Sequence, residues 1–185
     1  MTAPRRILRF AICLLLWSAM SIAEGHAEKS PADGMRELRM MMLTTSPDQF
    51  GIRPTKEYPR VAGILMDWPI GEHTATILAM SDGNASLYTT STFGILGGFA
   101  HESVRVAARR FVRAAEGVHD RAVATAEYPY PGRNRVRFYL LTFQGVRVIE
   151  TDLNSVIDRT GEYSELFALG QAVLTELRLM IEKKP

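Results

Sequence analysis

Between residues 61 and 89 the chain holds three strand-like runs joined by short turns, and that spacing commits it to an antiparallel meander. Residues 61–68 are almost wholly apolar, the pattern of a strand covered on both faces in the middle of a sheet. Asp67, Trp68 and Pro69 close that run, and a turn containing Gly71 follows. Residues 73–80 then alternate threonine with apolar side chains, which is the period of a strand. Asp82-Gly83 is a hairpin signal, because a tight primed turn needs positive φ that these residues tolerate, and the chain pairs back from Asn84 to Thr89.

Helical and strand periods organise the remainder. Residues 32–44 read as a first helix capped by Asp33, with Met35, Leu38 and Met42 (and Met41 beside them) on its inward stripe. The run Met40-Met41-Met42 is expected to fill gaps under that helix, since unbranched thioethers adapt to irregular spaces. Pro47, Pro54 and Pro59 make residues 45–60 an irregular connector. A hydroxyl- and glycine-rich loop over residues 90–98 leads into a helix over 101–117, whose Val104, Ala108, Phe111, Val112 and Ala115 share one buried face. Residues 119–134 form a second connector carrying Tyr128, Pro129, Tyr130 and Pro131. Residues 135–142 alternate, with Val136, Phe138 and Leu140 on one face; Gln144-Gly145 turns the chain and residues 146–151 return. A last helix over 163–181 buries Leu166, Phe167, Val173, Leu174, Leu177 and Met180. The order helix, three strands, helix, two strands, helix predicts a single α+β domain. Its sheet is expected to be largely antiparallel, of about five strands, with the helices packed on one face and an open edge available to a partner or a second copy.

The amino terminus reads as an export leader. Arg5, Arg6 and Arg9 form a basic start, Phe10 to Met20 is an apolar run interrupted by Ser18, and small residues at Gly25 and Ala27 or at Ser21 and Ala23 offer cleavage positions. The run is shorter than the ~20 residues a spanning helix needs, so cleavage rather than permanent anchoring is expected. Residues 1–27 are thus assigned to the leader and 28–185 to the domain, placing the mature protein in the periplasm or outside the cell. A chain starting at Met35 is the alternative and would be cytoplasmic. Either start leaves the domain without Cys13, the chain's single cysteine, so neither a thiol nucleophile nor a disulfide is expected. The chain carries 22 basic and 20 acidic residues; cleavage after Ala27 removes three arginines and one glutamate, which balances the charge. That balance removes the basic footprint expected of nucleic-acid binding.

Few residues carry a chemical pattern. Gly94, Gly97 and Gly98 precede a helix start at His101, and bare glycine N–H groups beside a helix terminus can hold an anion. Tyr88 and the hydroxyls of Thr89 to Thr92 stand next to that loop, so Tyr88, Gly94, Gly97, Gly98 and His101 form the candidate ligand set. No Gly-Lys-Ser or Gly-Lys-Thr follows, which excludes a P-loop, and Glu102 already occupies the helix terminus. His101 has Ser103 close by as a hydroxyl it could serve as base, with Asp67 as a remote orienting carboxylate. His73, His101 and His119 lack paired spacing, so no metal is expected; His119-Asp120 matches a metal phosphohydrolase dyad only in its letters. Arg105, Arg109 and Arg113 recur every fourth residue as a cationic surface row, with Arg110 beside them. Catalytic residues and cofactors are not expected. The reading favours a non-catalytic binding module whose partner is an unknown protein or a small anionic ligand, with homodimerisation through the sheet also open. An anion-binding enzyme that uses the glycine loop is the alternative. Nucleic acid is not an expected partner, nor is a membrane once the leader is gone.

Met66-Asp67-Trp68-Pro69, the stretch from Asp82 to Tyr88, the glycine loop running into His101, the stretch from Val136 to Thr142 with Gly145-Val146, and the closing helix together resemble a widespread group of small uncharacterised bacterial proteins. The resemblance spans roughly Met35 to Leu179. Members of that group carry a more continuous glycine run where this chain has Thr92, Phe93 and Phe99, and they often begin near the position of Met35. The resemblance implies no activity, substrate or cofactor.

Overall fold

The meander closes as its turn chemistry requires. In the computed structural model, which describes residues 30–182, β1 (Val61–Ile70), β2 (His73–Met80) and β3 (Ala85–Thr89) pair antiparallel, and Gly71 and Gly83 take the positive φ their turns demand. β5 (Arg135–Thr142) joins the free side of β1, β6 (Gly145–Asp152) pairs outside it, and the two-residue β4 (Val123–Ala124) lies at that edge. The strand order is therefore β3-β2-β1-β5-β6-β4, every pairing antiparallel. The apolar run of β1 holds the centre, as its composition predicts. The sixth strand falls inside the 119–134 connector and is too short to show a period.

The helices are α1 (Pro31–Thr44), α2 (Glu102–Val118), α3 (Leu153–Ile157) and α4 (Ser164–Glu182). The expectation that all helices share one face needs correcting. α2 and α4 cover the face formed by Ile64, Met66, Ile77, Leu87, Phe138 and Leu140. α1 crosses the opposite face, over Leu65, Leu78, Met80, Tyr88, Tyr139 and Leu141. The domain thus has three layers, with α1 the only long helix on its side among the described residues. α1 also starts a little earlier than predicted: Ser30 is the cap, its Oγ accepting the Asp33 N–H at 3.2 Å, and Asp33 lies in the first turn. α3 is an unpredicted short helix, capped by Asp152, whose carboxylate accepts the Ser155 N–H at 2.9 Å. Residues 1–27, expected to be a leader, lie outside the described residues.

On the α2/α4 side the predicted stripe of α2 is realised: Val104, Ala108, Phe111, Val112 and Ala115 are all fully buried. Trp68 meets Phe167 of α4 edge to face at 6.5 Å between ring centroids. Gly170 lets α4 come this close. A Cβ there would stand 2.5 Å from Met66 Cε and 3.1 Å from Phe111 Cζ, so the glycine marks the contact between α4, β1 and α2. Gly170→Val is expected to overpack this junction and cost about 1–3 kcal/mol, measured as a lower urea midpoint with an unchanged slope.

Candidate functional site

The loop between β3 and α2 is built by packing. Ile95 pairs with Leu87 through two backbone hydrogen bonds, Leu87 N–H to Ile95 O at 2.8 Å and Ile95 N–H to Leu87 O at 2.9 Å, extending the sheet by one bridge beyond β3. Gly94 turns toward α1: a Cβ there would lie 2.6 Å from Met35 Sδ and 3.1 Å from Leu87 O. Gly98 turns the other way, toward Val104 Cγ1 at 2.6 Å and Leu177 Cδ2 at 2.9 Å from its absent Cβ. Gly97 supplies the bend, with φ of 73°, and its N–H reaches Ser86 Oγ at 3.3 Å. Each of these glycines therefore has a steric or conformational role that requires no ligand.

The other members of the sequence-derived set lie apart from one another. Tyr88 is buried on the α1 face of the sheet, whereas Gly98 packs on the α2/α4 face. Burial pushes the Tyr88 phenol above its ordinary range, with a hydrogen bond to Ser86 pulling the other way. His101 is exposed at the start of α2, where its side chain makes no capping bond. Grooves on the described surface include one of about 300 Å³ between α2 and α4, bordered by Ser103, Val106, Arg110 and Glu176, and one of about 550 Å³ along α1, bordered by Gly34, Met35, Leu38 and Met41. Neither is lined by Tyr88, Gly94, Gly97, Gly98 or His101.

The arginine row is engaged within the fold. Arg105 donates to Phe99 O at 2.6 Å, pairs with Glu102, and holds its guanidinium carbon 5.5 Å from the Phe99 ring. Arg109 donates to Asp82 O at 3.0 Å in the β2–β3 turn. Arg113 pairs with Glu57 and lies 6.0 Å from the Tyr58 ring. The three side chains strap α2 to its own entry loop, to the β2–β3 hairpin and to the 45–60 connector.

At the far end of α2, Glu116 anchors the start of the central strand. Its carboxylate accepts from Arg60 Nε at 2.5 Å and from the backbone N–H groups of Arg60 and Val61 at 3.1 and 2.9 Å. Burial opposes its charge, but these donors outweigh burial and hold the carboxyl below its ordinary range. His119 Nδ1 and Asp120 Oδ1 stand 2.9 Å apart, and Asp120 also receives Arg60. Among the described residues no group of three or more His, Cys, Asp or Glu side chains could hold a metal.

Sequence reasoning missed the most distinctive polar cluster. Asp67, fully buried in β1, accepts Arg39 Nη2 at 2.5 Å and Nε at 3.0 Å from α1, and Thr76 Oγ1 at 2.5 Å from β2. Arg39 Nη1 donates to Tyr128 O at 3.0 Å, and the guanidinium lies 4.2 Å from the Tyr130 ring and 5.4 Å from the Tyr139 ring. Tyr139 OH donates to Pro129 O at 2.7 Å, so the cluster also orders the second connector. Burial pushes the Asp67 carboxyl up, against Arg39 and Thr76. Burial likewise opposes the Arg39 charge, but Asp67 outweighs it and keeps the guanidinium protonated. The remote orienting role considered for Asp67 toward His101 is corrected by this geometry, because the carboxylate faces α1 and is committed to Arg39 and Thr76. The signals the sequence carried were Arg39 four residues after Met35, on the inward stripe of α1, and a lone carboxylate in an apolar strand; that the two meet is seen only in the fold.

The fold and these clusters define a three-layer α+β domain whose buried charges serve its architecture. No family model matches the chain, and neither a curated protein nor a solved structure matches it.

Two stability measurements check these assignments. Arg39→Met leaves the Asp67 carboxylate buried and unpaired, with an expected cost of about 3–5 kcal/mol; R39M/D67L removes both charges and is expected to recover most of that loss in urea unfolding. Because the folded Glu116 carboxyl is held below 4.5, its contribution is full above that value and is lost as pH falls through the lower folded value. Glu116→Gln is therefore expected to cost about 1.5–3 kcal/mol near neutrality, and the gap to the unaltered protein should narrow as the medium is acidified below pH 4.5.

Proposed function

We propose that this chain is an exported, non-catalytic binding module that docks through the tip of the loop between β3 and α2. The observation that carries this reading is the exposure of Phe93, Leu96 and Phe99, at 51%, 53% and 51%, on one short loop. A contiguous exposed apolar patch marks a surface that meets a partner, and these three side chains, close together in sequence, are taken as such a patch. The glycines of the same loop are spent on bending and close packing, and Arg105 braces Phe99 from behind through its carbonyl and ring. Phe99 is thereby held in place beside α2, which lowers the ordering cost of docking there. Export rests on the basic start, apolar run and small residues of the leader. Kinship with the small bacterial group belongs to the same proposal, resting on Met66-Asp67-Trp68-Pro69 and its companion motifs.

A photo-crosslinking amino acid placed at Phe99 in the producing cell tests the reading. Covalent adducts are expected from position 99 and not from Ile157, an equally bare apolar position on α3. If position 99 gives no more adduct than position 157, the docking role is lost.

A further inference from the structure

We infer that the occupant of this tip is a lipid bilayer, the one that holds the leader before cleavage; the inference rests on the docking reading above and names its partner. The first observation is where the leader joins the fold. The described chain begins at Ser30, α1 starts at Pro31, and Met35, little more than one turn further on, packs its sulfur against Gly94 in the tip loop. The point of attachment and the apolar tip therefore share one end of the domain.

The second observation is the length of the tether. Nine residues, 21–29, separate the apolar run ending at Met20 from Ser30, and such a segment spans at most about 30 Å when fully extended. A leader held in a bilayer thus keeps the tip close to the same surface and turns weak apolar docking into an intramolecular event. The third observation concerns the neighbouring helix end. Leu177 packs beside Gly98, which places the carboxy-terminal end of α4 near the tip, with Leu179 and Ile181 exposed just beyond. Phe93, Leu96 and Phe99, together with this helix end, give an apolar margin suited to the headgroup–acyl boundary, where amphipathic surfaces bury their apolar side.

Charge plays a small part in the contact. Arg105 pairs with Glu102 and Arg109 is bound to the Asp82 carbonyl, while Arg178 stands exposed beside Leu179. The contact is assigned to burial of the apolar side chains, so it should survive salt that screens these surface charges. Among the described residues no helix is long and apolar enough to cross a membrane, and the inferred contact is a peripheral one made while the leader is still attached.

The test uses the full chain, leader included, reconstituted into vesicles of phosphatidylethanolamine and phosphatidylglycerol. Cys13 is first replaced by serine, and a nitroxide is attached at L96C, at F93C as a second tip position, or at I157C. Position 157 lies on α3, which packs at the amino-terminal end of α4, a helix length of roughly 28 Å from the tip. The collision ratio of oxygen to a water-soluble nickel chelate should be severalfold larger at 96 and 93 than at 157, and unchanged in high salt. Equal, water-like ratios at the three positions would overturn the inference. So would a tip shielded from both quenchers, which is the signature of protein cover by a second copy or another chain. Adducts to protein at position 99 with a water-like ratio at 96 would leave the docking surface standing and remove the lipid.

Discussion

The pairing of Arg39 with Asp67 is the constraint on which the α1 side of the molecule depends. A carboxylate placed in the central strand of a sheet, facing a layer of leucine, methionine and tyrosine, has no water to solvate it. It is tolerable only if a cation and further donors reach it from above, and α1 delivers the cation at one position along its length. The pair therefore fixes the register of α1 on the sheet. It also fixes the second connector, because the remaining guanidinium donor takes the Tyr128 carbonyl and the tyrosine rings close around the charge. Apolar contacts alone would hold α1 against this face, since Met42 and Leu43 are buried there, but they would set its position less sharply.

A similar economy runs through α2. Its apolar stripe makes the core, and its arginines face the segments that enter and leave the neighbouring strands. Charged groups that look like a binding surface in the sequence are spent holding loops, with Glu57, Glu102 and the Asp82 carbonyl as partners. Glu116 does the same at the opposite end by capping two backbone donors at the start of β1. Among the exposed apolar side chains of the described surface, Phe93, Leu96 and Phe99 fall within one loop, while others such as Met41, Ile70, Val123 and Ile157 stand elsewhere.

The strand runs were legible because their signals are local. Apolar alternation, Asp82-Gly83 and Gln144-Gly145 each act within a few residues, and the structure has all five anticipated strands at nearly the anticipated limits. The α2 stripe was legible for the same reason. The two-residue β4 and the five-residue α3 were not, since neither is long enough to display a period. The candidate ligand set read from neighbours in sequence is divided, because Tyr88 points to the α1 face of the sheet while the loop carries Gly98 to the side where Val104 and Leu177 pack.

What the chain's sequence determined by itself is the class of fold, the order of its elements and the stripe each long helix buries. These follow from periods of two and 3.6 residues and from turns that only particular backbones accept. Tertiary structure alone decided which face α1 covers, that its buried arginine would find Asp67 28 positions away, and that the arginine row would contact neighbouring loops of the same chain. Such choices depend on side chains brought together from distant positions, and the cost of burying charge without a partner selects among arrangements that local patterns leave equally open.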